Sequence, residues 1–68
     1  MLEVIFIVEE SPEGGDTAQA LGPSIVTEAD DWSELQANVR GAVNCHFDEG
    51  KAPKVIRLHF VREEVLTL

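Results

Sequence analysis

The sequence has little of what would cross-link a small domain or carry it across a membrane. It contains one cysteine, so no disulfide can form within the chain, and a reducing compartment suits it. Its N-terminal apolar run covers only residues 4–8, whereas a membrane span needs roughly 18 apolar residues. Acids flank that run where a secretory signal carries basic residues. We therefore expect a cytoplasmic protein that does not span a membrane.

Basic residues are also scarce. Five Lys and Arg stand against 13 Asp and Glu, which gives a formal net charge of −8. Phosphate binding needs clustered Lys and Arg, so this composition argues against nucleic acid as a direct partner. An excess of acids keeps a small protein soluble, and it also suits binding to a basic protein. Composition alone leaves both interpretations open and favours the simpler one, solubility.

Residue patterns predict one α+β domain over residues 1–68 with the element order β-β-β-α-β. In the first strand, residues 2–10, apolar side chains occupy both sides in the middle, which is typical of a central strand. Two short strands follow at 16–21 and 24–29, and a final strand covers 54–61.

The segment SPEGG, residues 11–15, separates the first two strands. A phosphate-binding loop needs a helix N-terminus and a basic residue, and this segment has neither. Proline fixes one backbone angle and glycine supplies positive φ, as turns require. The segment is therefore predicted to be the turn of a hairpin.

The helix is predicted to begin after Asp31, an N-cap residue that Glu34 complements three positions later. Gly50 is the predicted stop, with Asp48 and Glu49 near the helix end. An apolar stripe at helical spacing is predicted to face the sheet, with a packed histidine at its end. It consists of Trp32, Leu35, Val39, Ala42, Val43 and His46.

Three antiparallel strands, a right-handed crossover helix and a parallel fourth strand predict a mixed sheet of order 3-2-1-4. One helix covers one face, so either Ile5 and Ile7 on the opposite face stay half uncovered or the two faces are exchanged, and in both cases one face lacks a second layer. Spare apolar surface and an edge strand in so small a domain predict a homodimer or higher oligomer. The candidate dimer surface consists of Arg57, His59, Val61 and Val65.

No residue pattern indicates catalysis, a metal or a cofactor. Cys45 and His46 are adjacent, so on a helix they point about 100° apart and do not easily share a metal or form a nucleophile pair. A two-metal nuclease needs converging acids, but the first strand carries acids only towards its ends and the last bears Arg57 and His59.

Residues 4–43 resemble the HicB family of antitoxins, in which a strand leads through an acidic glycine turn to short strands and a helix. The matching positions are Glu13, Gly14, Gly15, Ala18, Ala20, Gly22, Pro23, Thr27, Glu34, Leu35, Asn38 and Ala42. The sequence is most similar to the small stand-alone HicB-like proteins of thermophilic bacteria. It departs at Asp16, where an aromatic residue commonly stands. The longer antitoxins continue into a DNA-binding domain that these 68 residues do not match, so we do not carry DNA binding over as an expectation.

The resemblance implies a partial ribonuclease H-like fold without catalysis, assembly into dimers or larger oligomers, and binding to HicA, a small basic mRNA-cleaving toxin. An acidic protein suits such a partner electrostatically. We predict that Glu9, Glu10, Glu13 and Asp16 form part of the contact. The alternative is a homodimeric binding or structural module with no toxin partner.

Overall fold

A computed structural model describes residues 2–62 and 64–68. It contains the predicted element order, and the sheet order β3-β2-β1-β4 is also as predicted. The strands are β1 (Glu3–Glu10), β2 (Asp16–Ala20), β3 (Val26–Ala29) and β4 (Val55–Val61), and the helix is α1 (Trp32–His46). In the described part of the chain, no helix is long and apolar enough to cross a membrane.

Strand β1 occupies the centre of the sheet, as its two apolar sides predicted. It pairs antiparallel with β2 and parallel with β4, so Phe6 lies between Ala20 and Leu58. Val4, Phe6 and Val8 are buried under the helix, whereas Ile5 and Ile7 on the other face are half-buried. The sheet therefore has one covered face and one open face.

The core lies between the covered face of the sheet and one side of α1. The helix contributes Leu35, Val39 and Val43, each at most 2% exposed. Small residues of β2, Ala18 and Ala20, let the helix lie close to the sheet. Burying a Leu or Val side chain stabilises a fold by about 1.5–3 kcal/mol, so these contacts hold α1 in place.

Strands β2 and β3 are shorter than predicted because the chain turns between them at residues 21–25. The Ala20 N–H donates to the Ile25 carbonyl at 2.9 Å, and the Leu21 N–H donates to the Ile5 carbonyl of β1 at 2.9 Å. Ile25, just before β3, is 5% exposed and belongs to the core.

The predicted helix end at Gly50 is wrong, since α1 ends at His46. Phe47 adopts an extended conformation with φ −99° and ψ 145°, and its half-buried side chain packs against the core. Gly50, with φ 79°, lies in a separate turn that the Lys51 N–H closes by donating to the Asp48 carbonyl. Burial of Phe47 explains why the helix ends at His46. The early end also keeps Asp48 and Glu49 out of the last helical turn, where the negative end of the helix dipole would repel them.

The prediction that His46 packs in the apolar stripe is also wrong. The stripe ends at Val43, and the His46 side chain is exposed, with its ring edge-on to that of Phe47 at 5.0 Å between centroids. At the other end of α1, Trp32, the first residue of the predicted stripe, packs over the edge of the sheet. Its ring lies 5.0 Å from that of Phe60 on β4.

Candidate partner-binding surfaces

The β1–β2 connection is the predicted hairpin turn. The Ser11 N–H donates to the Gly15 carbonyl at 2.9 Å, and the Gly14 N–H donates back to the Ser11 carbonyl at 3.0 Å. Gly14 and Gly15 have φ of 101° and 79°, a region that residues with a Cβ rarely adopt. The two glycines therefore serve the turn, and no helix follows to make a phosphate site.

Gly15 also sets how closely the hairpin approaches the next strand. A Cβ at this position would lie 2.5 Å from the Ala29 carbonyl oxygen at the end of β3. Asp16 is paired with Ala29 across the sheet, and the N-cap residue Asp31 follows two positions later. This contact therefore brings the hairpin, the end of β3 and the start of α1 together.

Carboxylates crowd this end of the molecule, which we call the acidic end. A groove of about 400 Å³ has Glu13, Asp16, Glu28, Asp30 and Glu34 among its lining residues. Because β1 ends where β2 begins, the other predicted contact residues of the hairpin belong to the same end. The acidic end comprises Glu9, Glu10, Glu13, Asp16, Glu28, Asp30, Asp31 and Glu34.

Sequence reasoning found the hairpin acids but missed Glu28, Asp30 and Glu34. The signal was the topology itself. In a meander, the end of the first strand, the start of the second and the end of the third lie at the same end of the sheet. The sequence pattern of Asp31 and Glu34 predicts only helix capping, and the structure confirms Asp31 as the N-cap, since its carboxylate oxygen accepts from the Glu34 N–H at 2.8 Å.

No ion pair neutralises the acidic end among the described residues. Their one ion pair joins Arg57 and Glu3 at 3.1 Å, at the opposite end of β1. Arg62 lines a groove with Glu9 and Glu10, but it forms no ion pair with either. Within residues 2–62 and 64–68, no three His, Cys, Asp or Glu converge as metal ligands would. Spread carboxylates of this kind suit an extended basic surface.

Charge is divided along the chain as well as in space. Residues 1–39 contain nine of the acids and no Lys or Arg, whereas residues 40–68 contain four acids and all five basic residues. The first part supplies β1, β2, β3 and the start of α1, and the second supplies β4. One side of the molecule is therefore strongly negative and the other is nearly neutral.

The predicted dimer surface divides between two places. Arg57, His59 and Val61 follow one another on the open face of β4, where Ile5 lies opposite Arg57 and Ile7 opposite His59. Val65 lies beyond β4 in residues 62–68, which we call the tail, and is 82% exposed. The structure thus brings three of the four residues into one row.

Two relatives match most of this chain, and both are named UPF0150 protein. The one from Thermotoga maritima is 41% identical over 66 residues, which are 97% of this chain and 93% of that protein. The one from Archaeoglobus fulgidus is 54% identical over 52 residues, 76% of this chain and 77% of that protein. No family model and no solved structure matches the chain. The shared name states neither an activity nor a partner. The chain belongs to the UPF0150 family.

Proposed function

We propose that this protein is a non-catalytic, antitoxin-like module that binds a small basic HicA-type mRNA-cleaving toxin and neutralises it. The observation that carries the proposal is the acidic end, where eight carboxylates form no ion pair within the described chain. The HicB-like relationship and the partial ribonuclease H-like fold belong to the same proposal.

The acidic end has the chemistry that a basic RNA-binding face would recognise. Complementary charge steers two proteins together and orients them, and it does so best where one surface carries a single sign. Glu9, Glu10 and Glu13 are exposed, and Asp16 is half-buried beside them. An acidic surface seated on the basic face of a ribonuclease would block the approach of RNA phosphates.

A non-catalytic role fits the placement of the reactive side chains. Cys45 and His46 are exposed near the end of α1, whereas the acids gather around the opposite end of the helix. His59 lies on the open face of β4. No described site therefore combines a nucleophile with a base that could activate it.

The first experiment is a capture of partners from a lysate of the source organism at low and high salt. The proposal predicts a small basic protein that is retained at low salt and released at high salt. The captured protein should cleave RNA, and the present protein should inhibit that cleavage at equimolar amounts. A captured protein whose RNA cleavage is unaffected would contradict the antitoxin role.

A second candidate is a homodimeric binding or structural module without a toxin. The observation in its favour is exposed apolar surface on and beyond β4, where Val55 is 49%, Phe60 46% and Val61 43% exposed. Sedimentation velocity over a wide concentration range tests it. Self-association that no basic protein displaces is the expected result, and a monomer at all concentrations would exclude it.

A further inference from the structure

Strand β4 is a long edge strand with few of the features that prevent an edge from pairing with another strand. Its outer side is unpaired in the described chain, because β4 is the last strand of the sheet. Its seven residues contain neither Pro nor Gly, and Val55, Phe60 and Val61 are exposed. The opposite edge, β3, has only four residues. Natural proteins shorten or cover such edges, so β4 is the edge that invites another strand.

The described residues of the tail belong to no helix or strand, and residues 64–68 are exposed. The molecule measures 52 × 19 × 17 Å, whereas its 15-residue helix is only about 22 Å long, so the long axis reflects the projecting tail. Val65 and Leu66 are each 82% exposed, and Leu68 is fully exposed. Leu66 and Leu68 are two residues apart, so in an extended chain they lie on one face.

An apolar groove lies beside β4 on the helix side. It has a volume of about 230 Å³ and is lined by Gln36, Val39, Arg40, Ile56 and Leu58. Ile56 and Leu58 alternate with the open-face residues of β4 and are half-buried. A strand added along β4 with leucines on this face would cover the Leu58 end of the groove.

We propose that the missing strand comes from a second copy of this chain, which pairs antiparallel along β4 so that each tail lies on the β4 of the other. This inference rests on the self-association put forward above and specifies its geometry. The pairing sets Phe60 opposite Leu66 of the partner copy, Leu58 opposite its Leu68, and Val61 opposite its Val65. The result is a two-fold symmetric, eight-stranded sheet with both helices on the same face.

The residue types select this register. Every listed pair joins two apolar residues, and Arg62 falls opposite Glu64 of the partner copy. A shift by one residue would place each leucine on the open face. A shift by two would place Glu64 opposite Phe60 and leave Arg62 facing its own copy. Counted along the sequence, the chosen register sets Glu63 opposite its own copy, a like-charge pair that the six apolar pairs outweigh.

The chain does not favour folding its tail back onto its own β4. A tight hairpin at residues 62–64 would need positive φ, for which Gly, Asn or Asp are the usual residues. The sequence there is Arg-Glu-Glu, which contains none of them. The tail therefore meets β4 of another copy more readily than its own.

Two single changes at neighbouring positions test the proposal by sedimentation equilibrium of the full chain. Leu66→Glu puts a charge on the helix-side face opposite Phe60, and Thr67→Glu puts the same charge on the open face. We expect Leu66→Glu to raise the dimer dissociation constant at least tenfold and Thr67→Glu to change it less than threefold. Equal effects of the two changes would overturn the tail exchange.

A cross-link tests the register in a Cys45→Ser background. Val61→Cys with Val65→Cys should give a disulfide-linked dimer on mild oxidation, because each new thiol faces the other type across the interface. The two positions are about 13 Å apart within one extended chain, too far for an internal disulfide. The control, Val55→Cys with Val65→Cys, should cross-link at least tenfold more slowly.

The possible results distinguish the tail exchange from the self-association on which it rests. A wild-type chain that stays monomeric overturns both the self-association and the tail exchange. A wild-type dimer that tolerates Leu66→Glu and does not cross-link through positions 61 and 65 overturns the tail exchange alone. Toxin binding at the acidic end is not affected by either result, because it uses other residues.

Discussion

The acidic end and the β4 edge are built from opposite kinds of residue. The acidic end consists of carboxylates on turns and element ends, where water reaches them and no cation from residues 2–62 or 64–68 pairs with them. The β4 edge, which is the outer side of Val55–Val61 together with the tail, offers exposed apolar side chains and, among the described residues, backbone groups without a strand partner. Both surfaces border the same core, to which ten buried residues of the described chain belong.

A domain of this size can carry two surfaces of different chemistry, one charged at the acidic end and one apolar at the β4 edge. Long-range charge steers a partner and weakens with salt, whereas apolar burial and strand pairing are short-range and depend little on salt. A toxin at the acidic end and a second copy at the β4 edge would therefore not compete.

Gly15→Ala should break the acidic end most severely. The new Cβ would overlap the Ala29 carbonyl oxygen at 2.5 Å, and φ of +79° adds strain. We expect a loss of about 3 kcal/mol in the free energy of unfolding by urea. Gly14→Ala is the control, because its φ is also positive but nothing lies within 4 Å of the added atom. A loss of about 1 kcal/mol is expected there, and equal losses would contradict the role of the close contact.

Salt should separate the two surfaces. Between about 0.05 and 0.5 M NaCl the Debye length falls from roughly 14 Å to roughly 4 Å. We expect the dissociation constant for the captured basic protein to rise at least tenfold. The dimer constant should change less than threefold, because its contacts are mostly apolar. Titration calorimetry and sedimentation equilibrium measure the two quantities, and parallel salt dependence would refute the distinction.

Asp31→Ala should loosen the acidic end without unfolding the domain. Its carboxylate caps α1 by accepting the Glu34 N–H at 2.8 Å. Removing an N-cap side chain costs about 1 kcal/mol, which urea unfolding can resolve. Asp31→Asn retains an acceptor oxygen and should lose only a few tenths of a kcal/mol. An unchanged stability in Asp31→Ala would show that the cap contributes nothing.

Arg57→Ala should have the smallest effect on stability. Its ion pair with Glu3 joins side chains that are 61% and 37% exposed. Pairs of this kind contribute about 0–1 kcal/mol, so we expect a loss below about 0.5 kcal/mol in urea unfolding. Glu3→Gln should match it, since the pair acts as a unit. A loss above about 1 kcal/mol in either variant would assign the pair a larger role.

The sequence predicted the fold well where one local pattern met one topological rule. Apolar residues on both sides of β1 placed it at the centre, and the right-handed crossover then fixed the sheet order. The helix end was predicted poorly because Gly50 is a stronger local signal than Phe47. Packing of Phe47 against the core, which no local pattern contains, decided where α1 ends.

The candidate site shows the same division. Glu9, Glu10, Glu13 and Asp16 are close in sequence, and they were found as one hairpin. Glu28, Asp30 and Glu34 join them only because the meander returns the end of β3 to the hairpin. Acids on one hairpin are close in sequence, so the sequence alone predicts that they lie together. Acids on three different elements can be predicted to lie together only when the register of the sheet is known.

Neutralising the hairpin acids tests whether the acidic end binds the basic partner. The variant Glu9→Gln, Glu10→Gln, Glu13→Gln, Asp16→Asn would be titrated against the captured basic protein, beside the control Asp48→Asn, Glu49→Gln, which removes acids past the far end of α1. We expect the four hairpin substitutions to weaken binding of the basic protein at least thirtyfold and the control substitutions to weaken it less than threefold. Binding that is unchanged in the hairpin variant would contradict the assignment of the acidic end as the partner-binding surface.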